Sequence, residues 1–355
     1  MIPKTMKALR LVQYSSQYKL EDIPVPSIGD NELLVKVGAA GFCHTDYQVY
    51  KGEYKSPTPM TPSHEPVGTI VAVGANAPPV WKTGQRIGLL NFRHGCNSCI
   101  GCEVSRDPLR PLEPDIRFCE NKDMAGIRAD GGFAEYVVAD PATSVHLPDG
   151  LSFEQAAPLM CAGATVWTGL DEASVKPDLP IGVVGIGGLG CLALQFAAAL
   201  GHPVVAIDNR AEGLQVAQEV PEHLRPGGVI DYNAPEATRE VISFAGGGGL
   251  AGILVCTDSI EATEWSLKVL RPHGVCVPFG LPEEGFKFSA FDIVFKTLVI
   301  RGSLLANQRL VSDMMQLVAD KGVQSHVQTM SLEEGTNLPD RYMNPHLKGR
   351  LVVTM

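Results

Sequence analysis

Apolar positions in the first 160 or so residues come in short runs, broken by glycine, proline and polar turns. ELLVKVGAAG (32–41), EPVGTIVAVG (65–74), GQRIGLL (84–90) and FAEYVVAD (133–140) have the length and β-branched content of strands. MKALRLV, near the start, predicts another. The pattern changes near Pro158. CAGATVWTGLDEA (161–173) predicts a helix, and LPIGVVGIGGLGCLALQFAAALG (179–201) a strand, a glycine turn and a long helix. Further strands are expected at PVVAIDN (203–209), GILVCTD (252–258), GVCVPFG (274–280) and LVIRGSL (298–304), with helical stretches between several of them. Such alternation predicts a parallel, doubly wound sheet. LVSDMMQLVADKG (310–322) predicts a helix stopped by Gly322, GRLVVTM (349–355) a last strand, and GGGG (246–249) a loop.

A chain of 355 residues suits two domains. The net charge of −10 gives a surface that does not attract phosphate backbones, which argues against nucleic acid. No apolar run is long enough to span a membrane, and the start lacks the apolar core of a signal peptide. A cytoplasmic location is therefore expected. There the nine cysteines are reduced, and clustered ones point to metal rather than disulfides.

Two motifs carry chemistry. In VVGIGGLG, Gly185, Gly187 and Gly190 have the G-x-G-x-x-G spacing between a strand and a helix. In that motif the first glycine permits a tight turn, the second admits a pyrophosphate, and the third lets helix pack on strand. Asp208 ends the next strand, where a carboxylate binds ribose hydroxyls and repels a 2′-phosphate. NAD is thus expected rather than NADP, although Arg210 lies close enough in sequence to neutralise such a phosphate. Cys96, Cys99, Cys102 and Cys119 form C-x2-C-x2-C-x16-C, the donor set of a closed structural zinc site. Cys43, His64 and Cys161 offer two thiolates and an imidazole, which would leave a zinc coordination position open, but separations this long carry little information by themselves.

Taken together, GFCHTD, SHEPVG, CNSCIGC, DGGFAEYVVAD, CAGATVWTGL, GIGGLG, VPFGLP and KGRLVV resemble the zinc-dependent alcohol dehydrogenases of the medium-chain dehydrogenase/reductase family, nearly end to end. The resemblance implies an α/β protein. A GroES-like β-rich catalytic domain (1–162 and 305–355) would flank a Rossmann NAD-binding domain (163–304), with the active site in the cleft between domains. It implies a catalytic zinc on Cys43, His64 and Cys161, and a second, structural zinc. Thr45 would bond the substrate oxygen and carry its proton away. Asp46 would orient His64, and Glu65 would stand beside the zinc. His44 and Arg350 would reach the cofactor pyrophosphate, with Gly188 in the glycine turn. Leu189 and Thr165 would press on the nicotinamide. Tyr54 and Phe92 would line an apolar alcohol pocket. The implied reaction moves a hydride between an alcohol or carbonyl carbon and C4 of nicotinamide.

The sequence also departs from the family pattern. Gln48 stands where many members place a relay histidine, and an amide passes a hydrogen bond but takes up no proton near neutral pH. Ser63 replaces a glycine before His64. The interval before Cys119 is longer than usual, and VSRDPLRPLEPDIRF (104–118) is expected to be an extended loop. Gln48 motivates an alternative within redox chemistry, reduction of a conjugated C=C bond. A non-catalytic zinc- and dinucleotide-binding protein is a further alternative, and Cys161 disfavours a polyol-type site with a carboxylate ligand. Family members are dimers or tetramers, which implies a homo-oligomer pairing near FDIVFKTLVIRG (291–302). The remaining thiols, Cys191, Cys256 and Cys276, are expected to be packing residues.

Overall fold

The computed structural model describes residues 1–107 and 110–355. Its chain divides into two compact units. The first comprises Met1–Cys161, Ala306–Gln316 and Val327–Met355, and the second Ala162–Leu305 and Leu317–His326.

The first unit is built on a seven-stranded sheet. Its long strand Leu33–Phe42 pairs antiparallel with Glu65–Val73, Arg350–Thr354 and Tyr136–Ala139. Leu33, Val35 and Phe42 on that strand join Ile70, Ile87, Phe133 and Val353 in one buried cluster. Each large apolar side chain so buried contributes about 1.5–3 kcal/mol. Register decides where the chemistry falls. Gly41 lies opposite Glu65, and Phe42 opposite Leu351. Cys43, His64 and Arg350, each next to one of these paired positions, are therefore brought to the same end of the sheet.

The second unit holds a six-stranded sheet in the order Gly228–Asp231, Val204–Asp208, Ile181–Val184, Leu250–Val255, Leu270–Pro278, Val299–Ile300. Every pairing in it is parallel. Val204–Asp208 and Leu250–Val255 are buried at every residue, which is why these strands are continuous apolar runs rather than alternating ones. Helices Gly188–Ala199, Ala211–Glu219, Ala237–Phe244 and Ile260–Ser266 follow successive strands, giving a doubly wound nucleotide-binding topology.

Two local expectations change. Of the strand expected at 298–304 only Val299–Ile300 forms, and the apolar residues before it belong to a helix, Ala290–Lys296. The Ser289 hydroxyl caps that helix by accepting from Asp292 N at 3.2 Å, and Thr297 ends it with φ 51°. The segment 104–118, expected as an extended loop, contains paired strands. Arg106–Asp107 pairs antiparallel with Arg110–Pro114, and a 3-10 turn, Ile116–Phe118, follows; residues 108–109 lie outside the described residues. Among the described residues no helix is long and apolar enough to cross a membrane.

Candidate active site

The strand Leu33–Phe42 ends at Cys43, and the helix His44–Lys51 begins there. Cys43 is its N-cap, with Sγ accepting from Thr45 N at 3.3 Å, while Asp46 Oδ2 accepts from Cys43 N at 2.9 Å. This is a capping box in which a thiol replaces the usual hydroxyl. The other oxygen of Asp46 accepts from Ser63 N at 3.2 Å and stands 3.1 Å from His64 Nδ1. One buried carboxylate thus closes the helix start, holds the Ser63–His64 segment and orients the imidazole. Its Nε2 is turned toward Cys43 Sγ, 3.4 Å away.

Cys43, His64, Glu65 and Cys161 bring one donor atom each to within 4.8 Å of one another. A tetrahedral zinc with N and S ligands has donor-to-donor edges of about 3.6 Å, so the spacing of Cys43 and His64 fits that ion. The electrostatics agree. Burial alone would raise the Cys43 thiol, but the Cys161 hydrogen bond, His64 and Arg350 bring it well below its ordinary value. Burial pushes Glu65 up to about 7, against the pull of Arg350. Glu65 Oε1 is paired with Arg350, whereas the buried Oε2 has no partner. The Cys43 hydrogen bond and burial push Cys161 well above its ordinary value, so the three acidic donors compete for charge in one buried space. Crowded acidic donors and an orphaned carboxylate oxygen are what a cation would satisfy. Arg350 is 5% exposed and is held by Glu65.

Thr45 stands in the first turn of the capped helix. Its side chain neighbours the Tyr54 hydroxyl, and Tyr54 Oη donates to Gln48 Oε1 at 3.5 Å. A phenol and an amide therefore meet beside Thr45. His44 is exposed, with Nδ1 3.2 Å from Tyr342 Oη. Phe92 is buried, and the Lys122 ammonium lies 5.0 Å above its ring.

The second cluster, Cys96, Cys99, Cys102 and Cys119, also fits within 4.8 Å. Its Sγ–Sγ distances of 3.5, 3.6 and 4.0 Å are far too long for disulfides. They match the edge of about 3.8 Å expected for four thiolates around zinc. Donors converge on the sulfurs: Cys96 N to Cys119 Sγ at 3.3 Å, Glu120 N to Cys99 Sγ at 3.3 Å, and Asn121 Nδ2 to Cys96 Sγ at 3.4 Å. The Asn121 amide is the chief cause that lowers Cys96 to about 5, whereas burial pushes Cys102 up to about 12. Asp115, just before Cys119, accepts from Arg117 and, at 3.0 Å, from Asn307 Nδ2. Nothing in the sequence singled out that anchor.

In the second unit the glycine turn has the form a pyrophosphate needs. Gly185 adopts φ 85°, which favours glycine, and a Cβ on Gly190 would collide with the Gly185 carbonyl. Gly187 is different: the nearest atom to a Cβ there is Arg210 Nη2 at 4.0 Å, so the space in front of it is open. Asp208, at the end of Val204–Asp208, is 4% exposed. It accepts from Ile186 N at 2.6 Å and Arg210 N at 2.9 Å, and the Arg210 Nε lies 3.5 Å away. Leu189 and Gly188 begin the helix Gly188–Ala199, and Thr165 lies on Ala162–Ala173.

A zinc-type donor set on a β-rich unit and an open glycine cradle on a parallel sheet define an oxidoreductase of the nucleotide-dependent, zinc-binding kind. Comparison with known proteins agrees. Residues 29–149 match the alcohol dehydrogenase GroES-like domain, and residues 188–320 the zinc-binding dehydrogenase domain. The chain is similar to an alcohol dehydrogenase of Rhizobium meliloti (strain 1021), 33% identical over 353 residues and covering 99% of both chains. It is similar to one from Geobacillus stearothermophilus, 33% identical over 350 residues and covering 98% of this chain and 99% of that one. Its fold matches that of a putative zinc-binding dehydrogenase from Sinorhizobium meliloti 1021 bound to NADP. The TM-score there is 0.86 at 26% identity, covering 99% of this chain and 100% of that one. The chain belongs to the zinc-dependent alcohol dehydrogenases of the medium-chain dehydrogenase/reductase family.

Proposed function

We propose that this protein interconverts an alcohol with its aldehyde or ketone, using NAD(H). The observation that carries the reading is the convergence of Cys43, His64 and Cys161, with Glu65, into one donor set beside a threonine hydroxyl on the same capped turn. When bound, zinc supplies a Lewis acid for the substrate oxygen, and the nicotinamide accepts or donates the hydride.

The chain's own residues do the rest. Cys43, His64 and Cys161 hold the metal, and Asp46 keeps His64 in the tautomer that leaves Nε2 free to ligate. Glu65, tied to Arg350, stays close as a neighbouring carboxylate. The Thr45 hydroxyl orients the substrate oxygen and takes over its proton. Gln48, whose amide has no basic site near neutral pH, does not take that proton up, so water or the hydroxyls of a bound cofactor would receive it. Tyr54 shapes the pocket and favours an apolar substrate. The cradle at Gly187 and Gly188 receives the pyrophosphate, and Asp208 takes the ribose hydroxyls, which favours NAD over NADP. Cys96, Cys99, Cys102 and Cys119 hold a second, structural zinc. Intact donors and Thr45 together weigh against a purely binding role.

NADH oxidation with an aldehyde, followed in the wild type and in Thr45→Val, tests this assignment. Loss of a general acid–base group predicts a fall in kcat of about 10²–10⁴-fold, with NADH affinity unchanged. A variant as fast as wild type would remove Thr45 from the mechanism.

The active form is proposed to be a homo-oligomer joined through the second unit. Phe291, Val294 and Phe295 are 67, 70 and 73% exposed on Ala290–Lys296, and this apolar face adjoins the edge strand Val299–Ile300. Phe295→Asp is expected to lower the sedimenting mass of the native protein. An unchanged mass would put the contact elsewhere.

A further inference from the structure

A cavity of about 230 Å³ lies in the first unit, and none of the zinc donors lines it. Its walls include Met6, Ile23, Ala134, Tyr136 and Arg93. Arg93 is only 9% exposed. Its Nη1 donates to the Val138 carbonyl at 3.0 Å, its Nε has no acceptor, and no carboxylate among the described residues forms an ion pair with it.

The two carboxylates on the same wall are already engaged. Glu32 Oε1 lies 2.9 Å from His94 Nε2, whose other ring nitrogen faces Asp123 at 2.7 Å, and Glu32 Oε2 accepts from Gly29 N at 2.7 Å. Asp130 accepts from Arg10 at 2.9 Å and Thr61 N at 2.7 Å. A guanidinium does not shed its proton in a protein, so burial leaves Arg93 a charge without a counter-ion. Buried charges are ordinarily paired.

We propose that this cavity binds a small organic monocarboxylate. The planar guanidinium matches a carboxylate, and the apolar walls formed by Met6, Ile23, Ala134 and Tyr136 take the hydrocarbon part. The volume equals about seven or eight waters at ~30 Å³ each. That accommodates a single ring or a short chain with its carboxylate, and no nucleotide. A phosphate dianion forgoes the apolar contacts that the hydrocarbon part of a monocarboxylate makes there.

The probe is benzoate, titrated calorimetrically into the zinc-loaded, NADH-saturated enzyme. The expected result is one benzoate per chain, bound equally by Thr45→Val. Arg93→Met should weaken it by about tenfold or more, the loss typical of a charged hydrogen bond. Ala134→Val should weaken it too, because the added methyl groups enter the cavity while the guanidinium remains; it decides the matter should Arg93→Met fail to fold. Inorganic phosphate should not compete. Absence of binding at millimolar benzoate would overturn the proposal. So would binding that both variants leave unchanged, binding lost in Thr45→Val, which would assign benzoate to the catalytic pocket, or displacement by phosphate.

Discussion

At the residue scale, Asp46 explains why GFCHTD is spaced as it is. A helix capping box needs an acceptor at the cap and a carboxylate three residues on. A metal-binding histidine needs a partner on its other nitrogen. Asp46 meets both needs with its two oxygens, so Cys43 and His64 are fixed by one side chain. The glycines of the nucleotide turn separate by the same kind of reading. Gly190 has a packing role, since its Cβ would meet the Gly185 carbonyl, whereas Gly187 faces open space. Gly190→Ala is therefore expected to lower the melting temperature of the apo protein. Gly187→Val should leave it nearly unchanged and weaken NADH binding. Equal losses of stability in both would deny Gly187 its place in the cradle. Thermal melts with and without NADH read both effects.

At the element scale, strands defined by long apolar runs were legible, because burial on both sheet faces leaves little room for polar residues. The stretch 290–300 was not. FDIVFKTLV fits an apolar strand and a short helix alike, and the Ser289 cap and the left-handed Thr297 settle the matter locally. The 104–118 insertion was legible only as a lengthened interval, and its contact with a partner distant in sequence, Asn307 on Asp115, was not legible at all. Asp115 gives a pH prediction. Burial alone would raise its carboxyl, but Arg117 and Asn307 hold it below the ordinary value. A depressed folded pKa adds stability above the unfolded value of about 3.9, and that stability is lost as pH falls through the folded pKa. Asp115→Asn should therefore lower the urea midpoint at neutral pH, and the gap to wild type should close as the pH drops below about 4. A gap constant with pH would mean that Asp115 acts only as a neutral hydrogen-bond acceptor.

At the scale of the whole molecule, the donor sets were legible to different depths. The four-cysteine motif carried its own spacing information. Cys43, His64 and Cys161 did not, since their proximity depends on sheet register, Gly41 against Glu65 and Phe42 against Leu351; only the family resemblance joined them in advance. The pairing of Arg350 with Glu65 escaped the sequence reading for the same reason, the two being 285 residues apart. The family then fixes the class of reaction, while the proposed proton path of this chain does without a histidine at position 48. The central claim is carbonyl chemistry without a relay histidine. It is tested most directly by identifying the product formed from NADH and cinnamaldehyde. The expected product is the allylic alcohol, with the C=C bond intact. The saturated aldehyde would contradict it, and would make Gln48 the mark of a protein that delivers its proton to carbon.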